Sequence, residues 1–385
     1  MLEIGRRGRL YVTTEVTFGT IVAPASADAV RHINFTPTFD PKNRVSTPEK
    51  KDSPGRHVTG RFDRRETAGW NLEALLRPSG TINTVPEADE LLLAAFGSKT
   101  NLTLSTTIAS VPLVGGCTLT SGTGIAVGDS ISIVVGGVKY GRFVASIATN
   151  AVTWVPNLPS APIVGAVVKT GIAYKLTTAL AISLGLCHYG KKTDGTAGFK
   201  RGVSGAVVDK LALNFDANDE PRMTVGGAAK SQTTSGTPSA PAAFTSVGNQ
   251  PPSGISGEVW INNAAYKSMK LGIDMTNGMA MRNDSFGYSS AEEAFRGGYR
   301  AVAIGLDAKV EDETVLFDNT ETGTNVALFA QCGFTEGNII IVRAPAVEFK
   351  VPDTDDPDET PNWPFKGMAL ESADGANDEI FLGLL

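Results

Sequence analysis

The chain is poor in the residues that announce chemistry. Its 385 residues include three cysteines, Cys117, Cys187 and Cys332. They are odd in number and far apart, which argues against a disulfide framework and against a CxxC metal site. The compartment of synthesis is therefore expected to be reducing, the cytoplasm. The three histidines, His32, His57 and His188, show no metal-ligand spacing. No apolar run approaches the ~18 residues of a membrane span. No apolar stretch follows Met1-Leu2-Glu3-Ile4-Gly5-Arg6-Arg7, so no secretory signal is expected either. Charged residues make up only 19%, with a net charge of −6. A protein that grips duplex DNA over a broad surface has the opposite balance.

What the chain has in quantity is turn formers, Gly 42 and Pro 21, beside 42% hydrophobic residues. That apolar share supports packed cores. At roughly 150 residues per domain the length suggests two or three domains. Low charge with frequent turns suits many short strands, so the expected class is mainly β.

Leu10-Tyr11-Val12 and Val30 to Phe35 are the first strand-like runs. Residues 37–69 read as a long basic loop containing Lys42, Arg44, Lys50, Lys51, Arg56, Arg61, Arg64 and Arg65. Connections that long are functional or disordered. Residues 84–97 give the clearest helix. Thr84 and Glu87 fit a capping box, Pro86 sits in the first turn, and Gly97 stops it. Leu91, Leu92, Ala95 and Phe96 supply its apolar face.

Between Thr103 and Lys169 the only charges are Asp129, Lys139, Arg142 and Lys169. Ile131, Ile133 and Val135 alternate, as do Val152 and Trp154, and Gly136-Gly137 fits a hairpin turn. Residues 105–172 are expected to be a small all-β module inserted into a larger domain built from 1–104 and 173–385. Leu211, Leu213 and Phe215 form one later strand; Val302, Ile304 and Leu306 form another. The run from Asn338 to Arg343 should be buried on both faces. Residues 227–257 read as a flexible loop. Residues 289–297 read as a short helix capped by Ser290 and stopped by Gly297. The segment 353–385 is acidic, yet it ends in Ile380-Phe381-Leu382-Gly383-Leu384-Leu385. Such an end suits a strand that completes a sheet, in this subunit or a neighbour.

Catalytic patterns are near misses. Gly185 to Lys191 has the GxxxxGK spacing of a phosphate loop, but Lys192 stands where Ser or Thr must hold magnesium. A turn is the plainer expectation there. Cys187 and His188 are adjacent, so on a strand they point to opposite faces and cannot pair as nucleophile and base. Asp353 to Pro357 fails the calcium-loop pattern because Pro357 takes a ligand position. No enzyme and no cofactor are expected.

Several segments resemble the major tail tube protein of long-tailed, siphovirus-like bacteriophages. Glu15-Val16-Thr17-Phe18-Gly19-Thr20 looks like that family's opening signature. Gly60-Arg61-Phe62 through Pro78, then the helix at 86–96, resembles the next strand, turn and helix. Met275 to Arg282 with Phe286-Gly287, and Gly298 to Leu306, resemble later strands. Val127 to Pro162 is similar to a β module often inserted in these proteins. The resemblance implies a β-sandwich, or tube-barrel core, flanked by a short α-helix. It implies that six copies form a ring and that rings stack around a tape-measure protein, between tail-tip and tail-terminator proteins. DNA is then a partner only in transit, and assembly takes place in the host cytoplasm with no membrane binding. The inserted module is expected to project outward, which favours a non-contractile tail. The alternative is another virion β protein, such as a capsid decoration protein or a surface adhesin.

Charge separation along the chain suggests how rings would stack. The basic loop (Arg56, Arg61, Arg64, Arg65) would meet the acidic segment (Asp353, Asp355, Asp356, Asp358) of the next ring. Head-to-tail contacts of this kind generate filaments, and complementary charge fixes their direction.

Overall fold

The computed structural model describes residues 8–41, 43–45, 61–178, 182–191, 197–235, 250–309, 314–350 and 362–385. Antiparallel strands dominate, so the expectation of a mainly β chain is borne out, and the described residues include two α-helices.

Eight strands form a front layer. Their order is Ile340–Lys350, Asn362–Leu370, Ala301–Lys309, Ser268–Thr276, Lys210–Asp216, Arg222–Ala229, Thr67–Leu75 and Asn34–Asp40. Alternation of period two decides which side chains enter the core. One register row runs Val347, Ala369, Val302, Met275, Leu211, Val225, Leu72, Phe35 across all eight strands. Every member is buried or packed on the core. The neighbouring row, Glu348, Met368, Ala303, Asp274, Ala212, Thr224, Glu73, Asn34, points the other way.

The strand Ile340–Lys350 belongs to two layers. Its C-terminal half pairs with Asn362–Leu370, whereas its N-terminal half pairs with Phe381–Leu384. That C-terminal strand is followed laterally by Ile172–Leu176 and Gly97–Asn101. On the opposite side lie Val326–Cys332 and Gly257–Ile261. These strands make a back layer that is apolar on both faces. Ile340, Val342, Leu328, Leu382 and Tyr174 share the core with the front layer. Ile339, Ile341, Phe329, Phe381 and Ala173 face away from it into a second cluster. The run around Ile341 is thus buried on both sides, as its composition requires. The apolar C-terminus completes a sheet within its own chain.

A closed barrel packs on that outer face of the back layer. Its six strands run Ser130–Val135, Val138–Ala148, Ala151–Val155, Gly116–Leu119, Ser105–Leu113 and Val167–Thr170. Ile131, Ile133, Val152, Trp154 and Val168 fill its interior. Gly136 (φ 58°) and Gly137 (φ 85°) are both left-handed, as a type I′ hairpin turn demands. A five-stranded sheet, Ser231–Ser235, Ala197–Ala206, Leu184–Lys191, Arg9–Thr14 and Ala29–Val30, closes another side of the main core.

Helix α1 (Asp89–Phe96) buries Leu91, Leu92, Ala95 and Phe96 as expected. Gly97 ends it at φ 91°, with its N–H donating to the Leu93 carbonyl. Its start differs from the expected capping box. The helix begins behind Ala88, which offers no side-chain cap. Thr84 lies in a preceding turn, its N–H donating to the Thr81 carbonyl at 3.2 Å. Glu87 instead pairs with Arg31 at 2.7 Å.

The short helix expected at 289–297 is not formed. Ala294–Arg296 is extended and pairs with Met279–Met281. The N–H groups of Gly297 and Gly298 both donate to the Gly278 carbonyl, at 2.9 and 3.1 Å, which closes that two-stranded ribbon. Helix α2 is Thr314–Thr322, with Leu316 in the core. The expected loop at 227–257 is strand as far as Ser235, and residues 236–249 lie outside the described residues. Within the expected basic loop, Asn43–Val45 pairs with Arg61–Asp63, while residues 46–60 lie outside the described residues.

Candidate functional site

The chemical near misses resolve into ordinary strands. Gly185 to Lys191 lies in Leu184–Lys191, hydrogen-bonded on both edges, so it is neither a phosphate loop nor the expected turn. Cys187 and His188 do face opposite ways. Cys187 sits with Tyr11, Ala29 and Tyr189. His188 stacks edge-on to His32 at 5.7 Å between centroids, beside Phe35 and Phe199. Burial lowers the His188 pKa to about 4, with His32 and Arg201 adding to the effect, and burial lowers His32 too. Nothing local in the sequence signals this pair, because a strand pairing brings it together. All three thiols are buried and free, and burial pushes Cys117 up to about 11 and Cys332 up to about 12. Among the described residues no cluster of His, Cys, Asp or Glu could hold a metal.

What the fold offers instead is surface. The outward side of the front layer is a broad antiparallel face of small and polar residues. Ala212, Gly272, Ala303 and Gly305 keep it low. A Cβ placed on Gly305 would meet nothing within 4 Å. Lys210, Arg222, Lys270, Lys350 and Lys366 stand among Glu73, Asp216, Asp274, Asp307 and Glu348, so both signs are interspersed. Lys270 lies 3.5 Å from Asp216 and Arg222 lies 3.6 Å from Glu73.

The two charged segments leave this layer at opposite ends. Register places Asp40 and Thr67, which bound the basic arm, level with the end where Thr276 and Ala301 lie. Lys350 and Asn362, which bound the acidic stretch, sit at the other end with Asp216 and Lys309. Arg56, Asp353, Asp355, Asp356 and Asp358 themselves lie outside the described residues. Arg61 opens the strand Arg61–Asp63. Arg64 is exposed, whereas Arg65 is half-buried and donates to the Ser285 carbonyl. The later acidic residues are occupied locally. Glu371 accepts from the N–H groups of Gly375 (2.8 Å) and Asn377 (3.0 Å), and Glu379 pairs with Arg300 at 3.3 Å.

The barrel is locked to the back layer, on the side of the sandwich away from the free face. Arg142 is fully buried at that seam. It donates to Glu258 and to its neighbour's Gly141 carbonyl, both at 2.7 Å, and to Gln331 and the Asn157 carbonyl at 3.2 Å. The Tyr140, Trp260 and Phe329 rings surround its guanidinium at 5.2–5.6 Å. Glu336 bridges Lys139 and Lys169 beside it.

The segments that carry the resemblance have structural reasons. Glu15 is buried and accepts from the N–H groups of Gly19 (2.7 Å) and Gly205 (2.9 Å), while Phe18 lies under the Lys230 ammonium. Gly19 is left-handed at φ 79°. Asn277 is buried and donates to the carbonyls of Ala95 (2.9 Å) and Val208 (3.3 Å), tying the end of α1 to the strand layer. No curated protein matches the chain. A family model described as phage tail tube protein matches residues 5–367. With nearly the whole chain matched and a mainly β structure to go with it, the chain belongs to the phage tail tube protein family and is a structural component of the bacteriophage virion tail.

Proposed function

We propose that the chain assembles with copies of itself into rings, six to a ring, which stack into the tail tube and form the conduit for DNA. The observation that carries this reading is the front layer: eight strands with one face in the core and the other free. Among the described residues the layer has one open edge, Asn34–Asp40, since its other end strand continues into Val326–Cys332. A ring that covers this edge with the neighbouring copy removes it. Its inner wall would then be the small, charge-interspersed face. Phosphates would slide past it because the two signs cancel, rather than through the net repulsion that an acidic composition suggests. The residues at 105–172 act as a module inserted between the two parts of the core, 1–104 and 173–385. Because the barrel sits behind the back layer, it projects outward, which favours a non-contractile tail. The role is structural and non-enzymatic. The tape-measure, tail-tip and tail-terminator proteins are the further partners, and assembly takes place in the host cytoplasm.

Rings stack head to tail through charge. The basic arm (Arg56, Arg61, Arg64) leaves one end of the layer and the acidic stretch (Asp353, Asp355, Asp356, Asp358) leaves the other. Arg65 belongs less to this contact than to its own fold, since it braces Ser285. Negative-stain microscopy of the purified chain across concentration and salt tests the reading. Hollow tubes of uniform diameter are expected, shortening as salt rises. Arg56→Glu with Arg64→Glu should block stacking and leave the fold intact. Monodisperse small particles under every condition, even with a tail-tip seed, would overturn the tube reading. Tubes that ignore both salt and the double reversal would overturn the charged contact.

A further inference from the structure

We infer that stacked copies are pinned by an aromatic knob, Phe286, which seats in a cavity at the far end of the next copy; this rests on the head-to-tail stacking proposed above. Phe286 is fully exposed, with Tyr288 half-exposed beside it. Its turn is braced. The Arg65 guanidinium donates to the Ser285 carbonyl, and the Glu66 N–H donates to the Ser289 carbonyl at 2.9 Å. Gly287 at φ 89° lets the chain reverse at the tip. A phenyl ring held out on a braced turn contributes nothing to its own core. It is, however, the kind of anchor that dominates interfaces, and the bracing lowers the entropy lost on docking.

A cavity of about 310 Å³ lies between the two layers at the opposite end of the molecule. Phe215, Val259, Tyr266, Met269, Leu271 and Ala330 give it apolar walls, and Asp216, Glu258, Lys267 and Lys270 line it as well. An apolar cavity of about 150 Å³ takes up a benzene ring, so a phenyl group has room here. One strand links knob and cavity. Ser268–Thr276 starts in the cavity wall and ends where the excursion bearing Phe286 departs. At about 3.3 Å per residue the two lie roughly 30 Å apart along the strand. A second copy displaced along that direction brings its knob to this cavity, and each copy then offers one knob and one cavity. Such a heterologous contact repeats without closing. The charges agree with this occupant, because Arg64 and Arg65 lie beside the knob's turn, whereas Lys350 and Asn362, which bound the acidic stretch, lie at the cavity's end of the layer.

The test uses the full chain under conditions where the parent forms tubes. Phe286→Ser should raise the concentration needed for tubes about 30-fold or more, the effect of an interface hot spot. Its circular dichroism and melting should match the parent, since the ring packs on nothing in its own subunit. Phe286→Trp should restore tubes. Pairing Phe286→Cys with Met269→Cys, then oxidising, should yield a ladder of multimers on a non-reducing gel. Both are made with Cys332→Ser, since Cys332 also lines the cavity, and either single variant should then yield at most dimers. Tubes from Phe286→Ser at the parent's concentration, or a double variant that gives only dimers, would overturn the knob while leaving the tube reading standing. If the parent itself never stacks, both fall together.

Discussion

Removing the Arg142 guanidinium should loosen the barrel from the sandwich at a cost that the seam's geometry sets. Arg142 is 0% exposed and the Glu258 side chain is 16% exposed. Arg142→Ala therefore strands a mostly buried carboxylate, which also borders the cavity between the layers. It also leaves the Gln331 and Asn157 acceptors short of a donor and opens a void among three aromatic rings. Breaking a buried pair from one side costs about 3–5 kcal/mol, most of it the penalty of the charge left behind. Arg142→Met refills the void but leaves Glu258 alone, so it should cost nearly as much. Arg142→Met with Glu258→Gln removes both charges and should recover most of the loss, to within about 1.5 kcal/mol of the parent. Urea unfolding of the parent, Arg142→Met, Glu258→Gln and the double variant gives the cycle, with Arg142→Ala measured beside it. Native-state hydrogen exchange adds a local readout, because the Gly141 N–H donates to Gln331 at 2.9 Å and should exchange faster in the single variants. A loss below about 1 kcal/mol for Arg142→Ala, or a double variant no better than Arg142→Met, would refute the view that this pair holds the seam.

Acid should act first at the two-histidine contact. Its folded pKa of about 4 for His188 lies below the ordinary 6.5, so the folded state binds fewer protons than the unfolded chain. Stability is then full above pH 6.5 and is lost as pH falls from 6.5 towards 4. The loss should be of order 1–3 kcal/mol given the ring's partial exposure. His188→Phe keeps the contacts with Phe35 and Phe199 and should flatten that part of the pH profile; an unchanged slope would assign it to other groups. Glu15→Ala leaves the half-buried Gly19 and the buried Gly205 N–H groups without their carboxylate and should cost about 1–3 kcal/mol, with Glu15→Gln losing less. Thermal unfolding checks this, and equal melting of Glu15→Ala and the parent would contradict the clasp.

Strands were legible wherever alternation was decided by one core. Leu211, Leu213, Val302, Ile304 and Leu306 could be read singly, because each faces the same cluster every second residue. The run around Ile341 also declared itself, since a strand packed between two clusters has no polar face to show. The start of α1 departs from the capping-box expectation because Glu87 has a tertiary partner. Glu87 reaches Arg31 on a distant segment, and no local pattern reveals that competitor. The ribbon at 294–296 departs from the expected helix for a similar reason. Its hydrogen bonds run to 279–281, so a short stretch with weak helix signals took the partner that the fold offered.

The candidate surface was legible in its charges and illegible in its arrangement. Composition alone separates a basic arm from an acidic stretch. Whether they leave the molecule side by side or at opposite ends depends on strand direction. In an antiparallel layer neighbouring strands alternate in direction, so the parity of the strands lying between two of them in the sheet decides the matter. The arm leaves from the end reached by Asn34–Asp40, and the acidic stretch leaves from the end reached by Ile340–Lys350. Had one strand fewer intervened, both charges would sit at one end, and attraction would close a pair of copies on itself rather than extend a filament. In the proposed stacking, polarity therefore resides in the count and direction of strands, a property that no single residue carries.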